Sequence, residues 1–371
     1  MPSCKRFSVL LLLSWSLVAS SSSVSRRACD AHDRETHPIL CSFIDRVLSD
    51  PDTVSREIHT WAKSHGLLVD ISKDKKTATS IAIKRRLGTT GMPVVFAHGM
   101  GDSCFNDGMQ HITAHVASLL NVYATCIPTG KDQREDTNNG YFLNMNANVD
   151  IFAEAITHDD KLKDGFHAIG FSQGNNVIRG YIARYNDPPV NTFISVNGVN
   201  AGIGAVPYCV PKLASGVGFS ICDVLMEQAS NRAYTDYAQE HIFQANYWRD
   251  PRPVEADAYK KYAQLAQWNN ENDHVNQTLK ENFGKTQKFV WILAEQDTMV
   301  WPKQGEHWGA PDPNDPFHTI LPMNETEWYQ KDLFGLRTAQ EAGKNHFESF
   351  DGDHLQFSMG DFDGWVTKYL G

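Results

Sequence analysis

The stretch Gly170-Phe171-Ser172-Gln173-Gly174 constrains this chain more than any other. An apolar run, Phe166-His167-Ala168-Ile169, leads into it. After it, Val177, Ile178, Tyr181, Ile182 and Tyr185 fall at i, i+1, i+4, i+5 and i+8, the apolar face of a buried helix. A G-x-S-x-G motif between a strand and a helix is the pattern of a nucleophile elbow, a sharp turn holding a serine hydroxyl above a parallel sheet. The two glycines are expected to let the backbone turn without a Cβ clash at a strained position. So short a motif also arises by chance, but a chance copy would rarely stand between a strand and a helix.

The rest of the chain repeats that rhythm. Residues 92–97 form a short apolar run, read as a buried strand. The run ends in His98-Gly99-Met100-Gly101-Asp102, and helical patterning follows through Ile112, His115, Val116 and Leu119. Further strands are read at 122–127, 166–171, 191–196, 288–294 and 347–350, with a helix at 148–156. Strands alternating with helices predict a mostly parallel α/β sheet covered on both faces. Between Gly198 and Thr286 the rhythm breaks into helical pieces near 221–228, 235–244 and 256–268. An insertion that long, rich in Tyr and Trp, is expected to wall a substrate pocket as a lid.

The N-terminus reads as a secretory signal over residues 1–22. Lys5 and Arg6 precede an apolar run from Val9 through Val18, then small residues, with cleavage expected near Ser20 to Ser23. The run is too short, and too interrupted by serine, for a membrane anchor. Residues 23–86 form a separate N-terminal element, with two short helices suggested by Phe43, Ile44, Val47, Leu48, Ile58, Trp61 and Ala62, and are read as a structural cap or pro-segment. The main domain then spans 87–371. Removing Lys5 and Arg6 takes the formal charge from −10 to −12 (−10 − 2), so nucleic acid and anionic membrane are not expected as main partners. Loss of Cys4 turns seven cysteines into six, an even count that suggests disulfides in an exported chain. Sequence proximity alone favours Cys29–Cys41, Cys104–Cys126 and Cys209–Cys222; metal binding is the alternative, and neither C-x-x-C nor H-x-x-x-H spacing is read in its support. Sequons stand at Asn276-Gln277-Thr278 and Asn324-Glu325-Thr326.

A serine hydroxyl is a poor nucleophile until a base lies within hydrogen-bond reach and a third group orients that base. The strand at 288–294 is followed by Glu295-Gln296-Asp297, which offers Asp297 as the acid; Glu295 competes but abuts the strand itself. The strand at 347–350 is followed by Asp351-Gly352-Asp353-His354, and His354 is the last of fifteen histidines. The order Ser172, Asp297, His354, each on a loop after a strand, is that of a hydrolase relay. The oxyanion needs two main-chain N–H donors, assigned to Gln173, next to the nucleophile, and Met100, in the loop after the first strand. His98 precedes Ser172 in the chain and is read as structural.

From about Pro93 to Gly371 the chain resembles the palmitoyl-protein thioesterases, lysosomal α/β-hydrolases that remove long acyl chains from cysteine. The resemblance rests on His98-Gly99-Met100-Gly101-Asp102-Ser103-Cys104, Phe142-Leu143-Asn144-Met145-Asn146, Gly170-Phe171-Ser172-Gln173-Gly174, Tyr247-Trp248-Arg249-Asp250-Pro251, Leu333-Phe334-Gly335-Leu336 and Gly352-Asp353-His354-Leu355-Gln356. It implies an α/β-hydrolase fold, Ser172 as nucleophile, Asp297 as acid, His354 as base, and a disulfide between Cys209 and Cys222. It also implies S-acylated proteins or peptides as substrates, no cofactor or metal, and a lysosomal destination, with secretion from the cell as the alternative. Where the type 1 branch often has two adjacent cysteines, this chain has Cys104-Phe105. Chain-length preference would come from an apolar groove, for which Ile203, Val206, Val224, Leu225 and Trp248 are candidates. Each buried methylene contributes about 0.8 kcal/mol. Another lipid-directed esterase or short-acyl thioesterase, and a catalytically silent binding protein, are the competing readings.

Overall fold

A computed structural model describes residues 91–207, 209, 229 and 232–371, all within one unit, Gly88–Gly371. The expected leader, the 23–86 element, the Cys29–Cys41 pairing and the helical piece at 221–228 lie outside the described residues.

Six parallel strands make the central sheet: β1 (Val94–Ala97), β2 (Ala124–Cys126), β3 (Phe166–Phe171), β4 (Val190–Val196), β5 (Lys288–Ala294) and β6 (Asn345–Phe350). Their spatial order is β2-β1-β3-β4-β5-β6. The chain starts inside the sheet, runs out to the β2 edge, then crosses back over β1 to β3. Loops leaving the C-terminal ends of β1 and β3 therefore part in opposite directions, and such a switch point opens a crevice for ligands.

Both sheet faces are apolar, as burial on two sides requires. Alternate residues (Val94 and Phe96, Ile169 and Phe171, Ile194 and Val196, Val290 and Ile292) share one core with helix α1 (Asp107–Leu120) and the C-terminal helix Met359–Leu370. The other parity of β5 stacks Phe289 against Phe283 at 4.3 Å and against Trp291 at 5.4 Å, and Trp308 meets Trp291 edge-on at 5.3 Å. Helices α2 (Gln133–Phe142), α3 (Met145–His158) and α4 (Gly174–Arg184) follow in sequence, and Gln277–Lys285 packs against α4, where Asn282 Nδ2 donates to the Ala183 carbonyl at 3.0 Å. That last helix lies between β4 and β5 in the chain. The topology is that of an α/β-hydrolase.

The insertion's described helices are Asp236–His241, Phe243–Asn246, Ala256–Tyr262 and Gln264–Trp268. The reading of 256–268 as one piece is divided at Ala263, which is extended with ψ 129°. Arg249 fastens this region, pairing both guanidinium amines with Glu271 at 2.7 and 2.8 Å and lying 4.1 Å over the Tyr259 ring. Among the described residues no helix is long and apolar enough to cross a membrane.

Candidate active site

In-register pairing brings the ends of β1, β3, β4, β5 and β6 to one rim: Ala97 lies beside Gly170, Phe171 beside Val196, and Ala294 beside Phe350. Ser172 follows β3 immediately and takes the left-handed conformation at φ 51°, which is strained for any residue with a Cβ. The strain thus falls on the serine itself. The flanking glycines serve close approach instead: a Cβ on Gly170 would come within 2.4 Å of Asn175 Oδ1, and one on Gly174 within 2.4 Å of the Ala97 and His98 carbonyls.

Ser172 Oγ lies 2.8 Å from His354 Nε2, and His354 Nδ1 lies 2.6 Å from Asp297 Oδ2. Ionised Asp297 can only accept, so Nδ1 carries the hydrogen and Nε2 is left to accept from the serine hydroxyl. The Asp297 side chain is fully buried and the His354 side chain 10% exposed. Asp297 Oδ1 also accepts from the N–H groups of Met299 and Val300, both at 2.7 Å. Burial acts to raise the Asp297 carboxyl, but the His354 ring and these donors outweigh it and hold it below the usual carboxylate range. Glu295, the competing acid, is exposed; its backbone N–H pairs with the Phe350 carbonyl at 3.0 Å.

The loop after β1 packs directly on the elbow, and a Cβ on Gly99 would stand 3.3 Å from Ser172 Cβ. Among the described residues no acceptor takes the N–H of Met100 or Gln173. The Gln173 side chain is 3% exposed and fully engaged. It donates to the Gly140 carbonyl at 2.8 Å and accepts from Gln244 at 2.7 Å and Tyr247 at 3.0 Å, so the insertion is tied to the residue next to the nucleophile. His98, read as structural, forms a buried pair with Asp136 at 3.1 Å. Burial lowers His98 and Asp136 raises it, with a net rise; Asp136 is correspondingly held down. Asp136 further accepts from Ser103 Oγ at 2.8 Å and from the Cys104 N–H at 2.9 Å, fixing the loop from below.

Cys104 and Cys126 are disulfide-bonded, tying that loop to β2. Cys209 is also disulfide-bonded; Cys222, its expected partner, lies outside the described residues. Among the described residues two groups have metal-ligand chemistry, His98-Cys104-Asp136 and Asp297-Glu306-His354. In the first, Cys104 is spent in its disulfide and His98 on Asp136; in the second, His354 bridges Asp297 and Ser172. The reading that found no H-x-x-x-H spacing is corrected by His111 and His115, four apart on α1, of which His115 is engaged by Asp363 at 2.6 Å. Both sequon residues, Asn276 and Asn324, are exposed. Of the groove candidates, Ile203 and Trp248 are buried and bridged to each other and Val206 is buried, while Val224 and Leu225 lie outside the described residues.

Two residues at the rim escaped the sequence reading. Asn197, directly after β4, accepts from the Leu355 N–H at 2.9 Å and donates to Glu306 Oε2 at 2.9 Å. A polar residue ending an apolar strand at the loop-bearing edge was the available signal for Asn197. Glu306 lies in an aperiodic turn and offered none.

The family model for palmitoyl protein thioesterase matches residues 93–354. Palmitoyl-protein thioesterase 1 of Caenorhabditis elegans is 37% identical over 73% of this chain and 89% of its own. Palmitoyl-protein thioesterase 3 of Dictyostelium discoideum is 27% identical over 76% of this chain and 91% of its own, and the human lysosomal thioesterase PPT2 is 28% identical over 68% and 78%. With a hydroxyl, an imidazole and a carboxylate already in line at the sheet rim, these matches place the chain in the palmitoyl protein thioesterase family.

Proposed function

We propose that the protein hydrolyses long-chain fatty acyl thioesters on cysteine, using Ser172, His354 and Asp297. The observation that carries this is the Ser172–His354–Asp297 hydrogen-bond relay, at 2.8 and 2.6 Å, in a chain of this family. His354 Nε2 takes the Ser172 proton as Oγ attacks the thioester carbonyl, and Asp297 stabilises the imidazolium that forms. The tetrahedral oxyanion is met by the N–H groups of Gln173 and Met100. Collapse expels the cysteine thiolate, which takes the proton from His354, and leaves an acyl-serine ester. Water, deprotonated by His354, then attacks that ester; the fatty acid leaves and Ser172 recovers its proton. Fixed N–H donors at the oxyanion are worth about 3 kcal/mol each in comparable hydrolases. Substrates are S-acylated proteins or peptides. A secretory route to the lysosome suits the hydrophobic leader and belongs to this same reading.

The test compares wild type with Ser172→Ala on a palmitoyl-cysteine peptide, a short-chain thioester and a triglyceride. The expected result is palmitoyl release by wild type alone, with a fall of at least about 1,000-fold in the variant. Preference for triglyceride would overturn the substrate class. Absence of fluorophosphonate labelling at Ser172 would overturn catalysis altogether.

A further inference from the structure

Glu306 sits in the short 3-10 turn Lys303–His307 beyond the acid loop, and it is 1% exposed. Its Oε2 accepts from the Ala294 N–H, at the end of β5, and from Asn197 Nδ2, each at 2.9 Å. Through Oδ1, Asn197 holds the N–H of Leu355, the neighbour of His354. Oε1 of Glu306 is buried and receives no donor. Ligand atoms of Glu306, Asp297 and His354 lie within 4.8 Å of one another.

Two buried carboxylates that close cannot both carry charge. Asp297 faces the imidazole and two backbone N–H groups, so the charge settles there, and Glu306 retains a proton on Oε1, the oxygen that receives no donor. We propose that Glu306 is a positioning residue whose carboxyl O–H donates to Asp297 and holds that acid against His354. This rests on the hydrolase reading above. Asp297 accepts from Met299 and Val300 through Oδ1 and from His354 through Oδ2, and a Glu306 carboxyl oxygen lies within 4.8 Å of it. Burial first, and the Asp297 charge second, push Glu306 well above the carboxylate range, in keeping with a neutral acid. Of the neighbouring charged groups among the described residues, Lys303 bonds the Glu295 carbonyl, His307 the Trp291 and Glu348 carbonyls, and Asp353 accepts from Thr298 and from the backbone N–H of His354.

The experiment measures the second-order rate of Ser172 labelling by a fluorophosphonate across about pH 4 to 9. This readout is independent of the natural acyl group; failure of the palmitoyl reading would instead appear as labelling without thioester hydrolysis. Glu306→Gln substitutes an N–H for the O–H and keeps an acceptor for Ala294 and Asn197. Its rate is expected within about threefold of wild type, with the acid limb unmoved within about 0.3 pH units. Glu306→Leu strips a donor from Asp297 and makes it a stronger base toward the imidazolium. It should label at least about tenfold more slowly, with the acid limb moved to higher pH. An acid limb moved down by about one unit in Glu306→Gln would mean that a negative charge had been removed, and would overturn the proposal. A Gln variant as slow as Leu, or one that does not fold, overturns it equally, because a neutral donor of that shape is what the proposal puts there. Should the Leu variant fail to fold, the Gln profile alone decides.

Discussion

Ser172 carries its chemistry and its strain in the same residue. At φ 51° the left-handed backbone aims Oγ out of the sheet rim toward His354, and the penalty is about 1 kcal/mol or more for any side chain with a Cβ. Removing the hydroxyl while retaining the Cβ leaves that strain in place; removing both relieves it. Ser172→Gly is therefore expected to be more stable than Ser172→Ala by about 1 kcal/mol in urea unfolding, although neither labels with a fluorophosphonate. Equal stabilities would mean that the elbow backbone relaxes once the hydroxyl is gone. The three relay residues were legible because each is marked by what precedes it: a G-x-S-x-G after an apolar run for Ser172, a strand end for Asp297, a glycine loop after the last strand for His354. Glu306 and Asn197 were not, since their roles arise from loops that meet only in space.

At the scale of elements, α2 (Gln133–Phe142) was missed for a physical reason. Its buried residues are Asp136 and Gly140, so it lacks an apolar stripe and hydrophobic periodicity has nothing to register. Asp132, whose side chain accepts from the Glu135 N–H at 2.9 Å, was the start signal to weigh. The strands, by contrast, read to within two residues at either end, β3 and β5 without a shift, because a strand buried on both faces writes itself as a continuous apolar run. The element earns its place through Asp136, which pairs with His98 and holds Ser103 and Cys104 beneath the oxyanion loop. Asp136→Asn keeps the shape but leaves His98 to carry a buried charge alone or lose its proton. The variant is expected to lose about 3 kcal/mol in denaturant unfolding near pH 6. On the proposed assignment of the Met100 N–H to the oxyanion, its rate with a palmitoyl thioester should fall with little change in KM. A variant with wild-type stability and rate would show that the disulfide to β2 suffices to hold the loop.

Across the whole molecule, buried histidines set opposite slopes of stability against pH. His167 lies in β3 with Nδ1 unpartnered and is brought down to about 4, by burial first and then by nearby Lys288. The unfolded chain takes up that proton below about pH 6.5 while the native state does not, so this group destabilises progressively as pH falls from about 6.5 to about 4. His98 runs the other way. Its folded value is raised, so its contribution is complete below about 6.5 and is lost as pH climbs through the folded value. Asp136 and Asp297, held low, contribute above about 4 and lose that contribution as pH falls through their folded values. The sum places greatest stability in mildly acidic to neutral solution, with His167 acting as the main histidine brake on the acid side. Replacing it by a residue that never charges isolates that term. His167→Gln should narrow the gap between unfolding free energies at pH 7 and pH 4.5 by about 2 kcal/mol, whatever its effect at pH 7 alone. A gap as wide as that of wild type would mean that His167 titrates normally inside the sheet, and that other groups, among them His307 and His346, shape the acid limb.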